Sequence, residues 1–492
     1  MRYCPDRQCP FALRHGRAAE YVDATETCSD CGAPLGRTEP PSFVAPRSTI
    51  PPHWSALGWT LPVFVVPFLL PYFRLPGLNF EGLHEGVATY WHSPFALGVQ
   101  PFLIAFFLVE LAALTLPRWR PLRVGGPAGR ARLVSAVWKL AYFFCFLQAF
   151  FSVLYLQRAG FMGLSPWTRL SAILSLVAGT SLLVLLTQLV QRNGVGGGFS
   201  VLCAALLTPE LMHAASSLQV LGATWPQETR RAIAALVVVA FASLCILRWR
   251  PRDANGVSWP TRIPACGLVP LIESTAILGF VVTLDSYLRS SPPRPASSVM
   301  VGNMALVVLS CFVFGVLFNR PHNVAAVSGE AGRASGSLTA VRGIVGRAVG
   351  YSAAFVIGLR LIEFWIGKTL PETADTSLTN VVPLIVVSAV ALDIVEEVRA
   401  IVRHGVHVAV WPEHRVYAVD QAIRVLERAG IPAFPRSVHH RTLWHFGAPY
   451  IPIEIMVPIA RAAEAAMLLH EALLPAEVRA LEVEDSGTAQ AL

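Results

Sequence analysis

Four cysteines near the start of the chain have the residue type and spacing of a metal site. Cys4 and Cys9 form a C-x4-C pair, and Cys28 and Cys31 form a C-x2-C pair further along. Zinc prefers four soft ligands in a tetrahedron, and two closely spaced pairs supply them. Residues 1–35 are too few to fold around an apolar core, so a bound ion would stabilise them. The spacing predicts a zinc ribbon with one structural zinc ion; two disulfides or free thiols are the alternatives.

Catalytic motifs are absent from the sequence. It contains no H-E-x-x-H, no G-x-S-x-G, no phosphate-binding loop and no paired catalytic carboxylates. The dipeptides His84-Glu85 and His470-Glu471 lack the second histidine of a zinc protease. We therefore predict that the chain is not an enzyme.

The composition is typical of a membrane protein. The 492 residues are 54% hydrophobic and 14% charged, whereas about a quarter of a soluble protein is charged. The net charge of +8 comes mostly from arginines between apolar runs, which indicates membrane topology and not nucleic-acid binding. The apolar runs predict about ten membrane-spanning helices, near 55–73, 96–116, 133–157, 168–190, 197–220, 231–248, 265–284, 300–318, 345–366 and 380–401.

The distribution of arginine predicts the orientation. The loops between the second and third, sixth and seventh, and eighth and ninth spans are arginine-rich, and the alternate loops are not. Positively charged loops stay in the cytoplasm, so both termini are predicted to be cytoplasmic. The cysteine-rich segment then lies on the reducing side of the membrane, which favours metal over disulfides.

Two predicted spans share a motif near their start. Gly98 and Pro101 in the second span, and Gly267 and Pro270 in the seventh, fit the pattern G-x-x-P-x-[Leu/Ile]. A proline inside a helix frees a carbonyl that lipid cannot satisfy, so each predicted break must face protein or water. Each motif lies in the second helix of a predicted five-helix half. The pair predicts two inverted halves with a pathway between them; chance recurrence of Gly and Pro is the alternative.

A family resemblance rests on these stretches. The run F-A-L-G-V-Q-P-F ending at Phe102, then Gly126 to Arg132, Gln191 to Ser200, Gly267 to Phe280 and Val386 to Asp393 resemble, in this order, motifs of the SecY family, the channel subunit of the bacterial protein translocon. The likeness covers roughly residues 54–400. It implies a polytopic α-helical fold that moves unfolded polypeptide across, or laterally into, the cytoplasmic membrane.

The resemblance also implies partners and site residues. Partners would be membrane lipid, SecE-like and SecG-like small subunits, and SecA or the ribosome, with no direct contact to nucleic acid. Gly77 to Ser93 would match the family's plug, or else be an ordinary loop. An apolar pore ring would consist of Val99, Leu103, Cys203, Leu207, Ile272 and Val386. A lateral gate would involve Gly98, Pro101, Gly267, Pro270, Glu273, Ser274 and Thr275.

Several features depart from the family. Glu273 stands where the family has an apolar residue, and it is read either as structurally paired or as a polar latch between gate helices. Arg248 to Pro264 is much shorter than the family's loop, and Asn319 to Arg347 is rich in Gly, Ala and Ser. Docking to SecA or the ribosome is therefore expected to be weakened. Arg360 and Glu363, spaced i,i+3, are expected to pair with each other.

The chain divides into five parts. Residues 1–35 are zinc-ribbon-like, 36–53 are a linker, 54–403 are the ten-helix domain, 404–475 are a small soluble α/β unit and 476–492 are a disordered tail. Strands and helices alternate in the α/β unit, which predicts a ferredoxin-like fold. The runs V-L-E-R-A-G-I-P-A-F and P-I-E-I-M-V-P in this unit resemble an uncharacterised family called putative signal-transducing.

His439, His440 and His445 cluster in the α/β unit. No cysteine or acidic residue accompanies them at ligand spacing, so they are predicted to be plain loop histidines rather than metal ligands.

Two other functions compete with a channel. A secondary transporter would bind a small solute at a polar midplane site, for which Glu273 is the best argument. A membrane scaffold or sensor would act through its soluble ends, and the shortened loops favour it. A SecE-like protein that copurifies with the chain would support the channel.

Overall fold

Long helices make up most of the chain that is described. The computed structural model describes residues 2–5, 9, 20–21, 25–29, 31–36, 53–78, 92–124, 126–158, 160–163, 165–221, 227–252, 259–272, 296–329, 338–369, 381–405, 407–447 and 450–473. The helices of the membrane part are α1 (His53–Thr60), α2 (Val66–Leu69), α3 (Gln100–Thr115), α4 (Arg120–Val124), α5 (Gly126–Arg158), α6 (Pro166–Asn193), α7 (Gly198–Leu221), α8 (Gln227–Arg248), α9 (Ala296–Phe318), α10 (Pro321–Gly329), α11 (Leu338–Thr369) and α12 (Val382–His404). A further helix begins at Val269.

Helix length and composition support several membrane spans. Within the described ranges, Gly129–Arg158, Pro166–Asn193 and Leu338–Ile366 are long and apolar enough to cross a bilayer. Shorter apolar helices cover Ala56–Leu69, Gln100–Thr115, Gly198–Pro209, Ile233–Arg248 and Gly302–Phe318. The count of ten spans stays a prediction.

The first predicted span is broken where we expected one helix over 55–73. Two 3-10 turns, Leu61–Phe64 and Leu70–Tyr72, lie on either side of α2. A proline stands at the first or second position of each of these three pieces. Proline is tolerated there but cannot donate a hydrogen bond within a continuing helix, so each one starts a new short helix.

One apolar core is shared by most helices of the membrane part. It includes Phe102 and Phe106 from α3, Phe199 from α7 and Val386 from α12. In pairs, α3 packs on α5, α6 on α7, α7 on α12 and α9 on α11. Glycines permit the closest approaches: a Cβ at Gly179 would lie 2.2 Å from the carbonyl oxygen of Pro94. The core is therefore shared between distant parts of the sequence.

The C-terminal residues form an α/β unit with its own core. Its elements are β3 (His407–Glu413), α13 (Val416–Arg428), β4 (Phe434–Arg436), α14 (Val438–Leu443), β5 (Ile453–Pro458) and α15 (Ala462–Leu473). The strands are antiparallel in the order β3-β5-β4. Val408, Leu426, Ile455 and Leu469 are buried between the sheet and its helices. A ferredoxin-like sheet has four strands; three occur in the described part, so that assignment stays a prediction.

The N-terminal segment is a small β structure around its cysteines. Strands β1 (Arg2–Tyr3) and β2 (Glu20–Tyr21) pair antiparallel. The amide of Gly32 donates to the carbonyl of Cys28 at 2.9 Å, and the amide of Cys28 donates to the carbonyl of Ala33 at 2.9 Å. Gly32 has φ +74°, a left-handed conformation that closes this tight turn at no steric cost.

Candidate functional site

The two G-x-x-P motifs fold into the same turn, but they do not break helices as we predicted. α3 begins at Gln100, so Pro101 lies in the first turn, where a missing N–H costs nothing. The second motif is equivalent, because its helix begins at Val269, one residue before Pro270. The internal breaks predicted at these prolines were therefore wrong: each proline starts a helix.

The backbone of the two turns matches in detail. Gly98 and Gly267 are both left-handed, with φ +52° and +63°. Each donates its amide to the residue three before it, at 2.8 Å for Gly98 and 3.1 Å for Gly267. The helices then open with the same pair of bonds: Leu103 N to Val99 O at 3.1 Å, and Ile272 N to Leu268 O at 3.2 Å. The recurrence is therefore structural as well as sequential.

Most of the predicted pore-ring residues belong to the shared core. Val99, Cys203 and Val386 are buried in it, and Leu103 and Leu207 are half-buried and pack against it. Ile272 differs, since 38% of it is exposed. Residues 273 onward, up to 295, lie outside the described part, and they include Glu273, Ser274 and Thr275 of the predicted gate. The ring and the gate stay predictions.

A segment of the α/β unit is buried against the membrane helices. All residues from Arg436 to Gly447 are buried, as is Ile451. We call these residues, together with Tyr450, the docking segment. The C-terminal unit is therefore docked on the membrane part, and the prediction of plain loop histidines at His439, His440 and His445 was wrong.

Aromatic side chains carry the deepest part of this contact. Tyr450 stacks on Phe106 of α3, with ring centroids 5.1 Å apart, and meets Phe102 at 6.0 Å. It also contacts Trp138 of α5 at 5.7 Å. Phe446 meets Phe107 of α3 at 6.0 Å. Phe102 and Phe106 lie on one face of α3, one helical turn apart, so the segment covers a stripe of that helix.

The docking segment also binds the second G-x-x-P turn. Leu268 donates its amide to the carbonyl of Leu443 at 2.9 Å. A Cβ on Gly267 would lie 2.4 Å from the same carbonyl oxygen, so only glycine fits there. The ring of His445 stacks on Phe318 at the end of α9, 5.0 Å between centroids. The docking segment thus contacts α3 and the start of the helix that begins at Val269.

An acidic residue of α12 caps the short helix α14. Asp393 accepts the amides of His439 and His440, each at 2.9 Å, and so satisfies two donors that a helix start leaves unpaired. The preceding residue, Ser437, is left-handed at φ 65°, ψ 23°. A non-glycine residue holds this conformation only where its surroundings enforce it. Here a Cβ on Gly197 would lie 3.2 Å from the Cβ of Ser437, so the backbones pack closely.

Buried polar contacts complete the interface. Arg436 donates to Glu397 of α12 in a buried ion pair. The other oxygen of Glu397 accepts the amide of Gly196 at 2.7 Å. Ser200 Oγ and His440 Nδ1 lie 2.7 Å apart. A buried charge is costly unless it is paired and hydrogen-bonded, so these contacts specify one docked position.

Sequence reasoning missed a buried ion pair between α3 and α4. Glu110 lies in an apolar run, is 1% exposed and accepts a hydrogen bond from Arg123 Nε at 2.8 Å. The signal was present: a carboxylate within a span needs a partner. Arg123 lies in the arginine-rich loop between the second and third predicted spans, whose charge we used only to predict orientation. The expected pair of Arg360 and Glu363 is confirmed, at 2.6 Å.

Burial sets the protonation of two docked histidines. Burial and the nearby charge of Arg441 lower the pKa of His440 to about 3. The same two causes lower the pKa of His445 to about 3. Both rings are therefore neutral at physiological pH while the segment is docked.

The four N-terminal cysteines meet in one place. The Sγ atoms of Cys4 and Cys31 lie 3.5 Å apart, and those of Cys9 and Cys28 lie 3.6 Å apart. All four sulfurs are within 4.8 Å of one another. Four thiolates bound at the usual Zn–S length of about 2.3 Å would be roughly 3.8 Å apart, so the arrangement fits a tetrahedral zinc ion.

Comparison with known proteins agrees with the motifs. The family model for SecY matches residues 93–327. The chain therefore resembles the SecY family over these residues. The protein translocase subunit SecY of Mycobacterium bovis is 23% identical over 248 residues, which is 45% of this chain and 54% of that protein. SecY of Streptomyces galbus is 22% identical over 272 residues, 45% of this chain and 62% of that protein.

The similarity covers only part of each relative. The chain spans about half the length of the first of these SecY proteins. A solved structure of a protein-conducting channel aligns at a TM-score of 0.47 and 16% identity, over 70% of this chain and 92% of the other. The α/β unit and the cysteine-rich segment lie outside the residues that the SecY family model matches.

Proposed function

We propose that this chain forms a SecY-like channel for unfolded polypeptide in the cytoplasmic membrane of a bacterium, with both termini cytoplasmic. The two G-x-x-P turns carry this proposal. Their matched backbone, at Gly98 and Gly267, sets one helix of each half at the same core. A pathway between two such halves is the arrangement that membrane conduits use.

The proposed constriction is the ring of Val99, Leu103, Cys203, Leu207, Ile272 and Val386. Apolar side chains at a constriction exclude water and ions when the pore is empty, and they deform around any passing sequence. Energy would come from a partner, since the sequence carries no nucleotide-binding motif. The proposed partners are SecE-like and SecG-like subunits, with SecA or a ribosome delivering the polypeptide.

Ion leak tests the ring. Val386 is fully buried on α12, whereas Val395 of the same helix is 47% exposed. In proteoliposomes, Val386→Asn should raise ion conductance because a polar side chain wets the constriction. Val395→Asn is the matched control and should leave conductance unchanged. Equal conductance of both variants and the parent would overturn the ring.

A scaffold that does not conduct is the second candidate. The docking segment favours it, because this face of the core is covered by the chain itself. Purification from the native membrane separates the two functions. A SecE-like helical subunit and a secretory precursor in the complex support the channel. A signalling partner bound to the α/β unit, with neither of these present, supports the scaffold.

We also propose one structural zinc ion at Cys4, Cys9, Cys28 and Cys31, which would fix the N-terminal fold. Metal analysis of the purified chain should give about one zinc per molecule. Cys28→Ser should abolish it. Cys245 is exposed on α8, far from this cluster in sequence, so Cys245→Ser is the control that keeps the metal. Full zinc content in Cys28→Ser would contradict the site.

A further inference from the structure

The docking segment lies on the face of the membrane part that carries the arginine-rich loops. Its polar contacts are with chain segments at the ends of predicted spans. Gly196 and Ser200 flank the start of α7, and Asp393 and Glu397 lie in the C-terminal half of α12. On the predicted topology all of these ends are cytoplasmic.

The aromatic side chains reach further in. Phe102 lies thirteen residues before the end of α3 at Thr115, which is roughly 20 Å along the helix axis. Tyr450 contacts Phe102 and Phe106, and Phe446 contacts Phe107. Leu103 of the proposed ring stands next to Phe102 and one helical turn before Phe107. The segment therefore ends beside the ring and not at the membrane surface.

We infer that the docking segment closes the cytoplasmic mouth of the channel, and that it must withdraw before a polypeptide can enter. This inference rests on the proposed function. The segment binds α3 through aromatic rings and the helix that begins at Val269 through the bond from Leu268 to Leu443. It thereby fixes the starts of the two proposed gate helices relative to each other.

The interface has the character of a reversible contact. Several of its polar groups are paired: Asp393 binds two backbone amides, Glu397 binds Arg436, and His440 meets Ser200. Each of these groups can be hydrated after release, since none depends on an apolar environment. The α/β unit keeps its separate core of Val408, Ile455 and their neighbours, so it can remain folded after withdrawal.

Thiol accessibility tests the closed mouth without requiring transport. Leu103→Cys is introduced into the full chain in inverted membrane vesicles, a membrane-impermeant maleimide is added, and the labelled peptide is quantified by mass spectrometry. Labelling should be slow. Combining it with Tyr450→Ala and Phe446→Ala should raise the rate at least tenfold, because each tenfold shift towards release needs only about 1.4 kcal/mol. Met467, exposed on α15, provides the control Met467→Ala, which should change nothing.

A reversible disulfide lock tests the same inference in a way that does not depend on whether the aromatic variant folds. The Cβ of Gly197, if built, lies 3.2 Å from that of Ser437, near disulfide range. In Gly197→Cys/Ser437→Cys, oxidation should suppress labelling at position 103, and reduction should restore it. If neither the aromatic substitutions nor the lock changes the labelling rate, the inference is overturned. The Val386 leak test then still decides whether the chain is a channel. If the lock controls labelling but Val386→Asn causes no ion leak, the closure by the docking segment is supported and the proposed channel function is overturned.

Discussion

The turns at Gly98 and Gly267 have the same backbone and different surroundings. A Cβ added at Gly98 would meet no atom of the described residues within 4 Å, whereas at Gly267 it would meet the carbonyl oxygen of Leu443 at 2.4 Å. The difference comes from the docking segment, which covers the second turn and leaves the first open. A repeated motif thus sets the local geometry, while an added domain decides which copy is held in place.

The largest expected effect comes from removing the buried positive charge that holds the docking segment against α12. Arg436 pairs with Glu397, and both side chains are almost fully buried. Arg436→Ala leaves a buried carboxylate unpaired, which should cost about 3 to 5 kcal/mol of docking free energy. Hydrogen exchange of residues 436–447 in the purified chain should rise accordingly.

An exposed ion pair of the same type is the control for that change. Arg461 and Glu464 pair on the surface of the α/β unit, with 40% and 45% of their side chains exposed. Arg461→Ala should leave exchange in residues 436–447 unchanged. Equal effects of the two substitutions would show that the docking segment is not held by its buried charge.

The next effect compares the two glycines directly. Gly98→Ala should cost about 1 to 2 kcal/mol, the penalty of a left-handed alanine. Gly267→Ala should cost more, because the same penalty adds to overlap with the carbonyl of Leu443. Thermal unfolding in detergent measures both, and protease release of the α/β unit should occur only in Gly267→Ala. Equal unfolding shifts without release would contradict the asymmetry.

The last effect is a dependence on pH that we expect only for the docking segment. His440 and His445 have pKa values of about 3 when docked, below the ordinary 6.5. Arg441 faces both, and Arg123 faces His445. The released segment binds protons as the pH falls through 6.5 while the docked segment does not, so docking weakens as the pH falls. The loss approaches about 1.4 kcal/mol per pH unit for each histidine below 6.5.

Exchange at two pH values checks this. After correction for the intrinsic pH dependence of exchange, the docking segment should open more readily at pH 5.5 than at pH 7.5. The amides of α6 provide the reference, since they should not change. Substituting His440→Gln should reduce the pH dependence, because one of the titrating rings is removed. Docking that strengthens in acid would contradict the assignment.

Contacts between residues that are close in the sequence could be predicted from the sequence. The cysteine spacing predicted a cluster, and Cys4, Cys9, Cys28 and Cys31 do lie together. The arginine and glutamate at 360 and 363 pair as their spacing indicates. Helix starts were harder: Pro101 was read as a break, although a proline suits the first turn equally well.

The burial of the docking segment could not be predicted, because its contact partners are distant in the chain. Asp393 caps a helix that begins more than forty residues later. His439 and His440 resemble surface residues until those partners are known. Trp444 and Phe446 were the available signal, since two large aromatic residues within a connection of a small α/β unit require a surface to bury them.

Polypeptide transport with the Gly197→Cys/Ser437→Cys lock tests the central claim most directly. The chain, purified with its native subunits, is reconstituted, and protease-protected precursor is measured in the oxidised and reduced states of one preparation. The account predicts that the oxidised chain admits no precursor and that reduction restores transport to the level of the parent. Equal transport in both states would show that polypeptide passes while the docking segment stays in place, which would contradict the account.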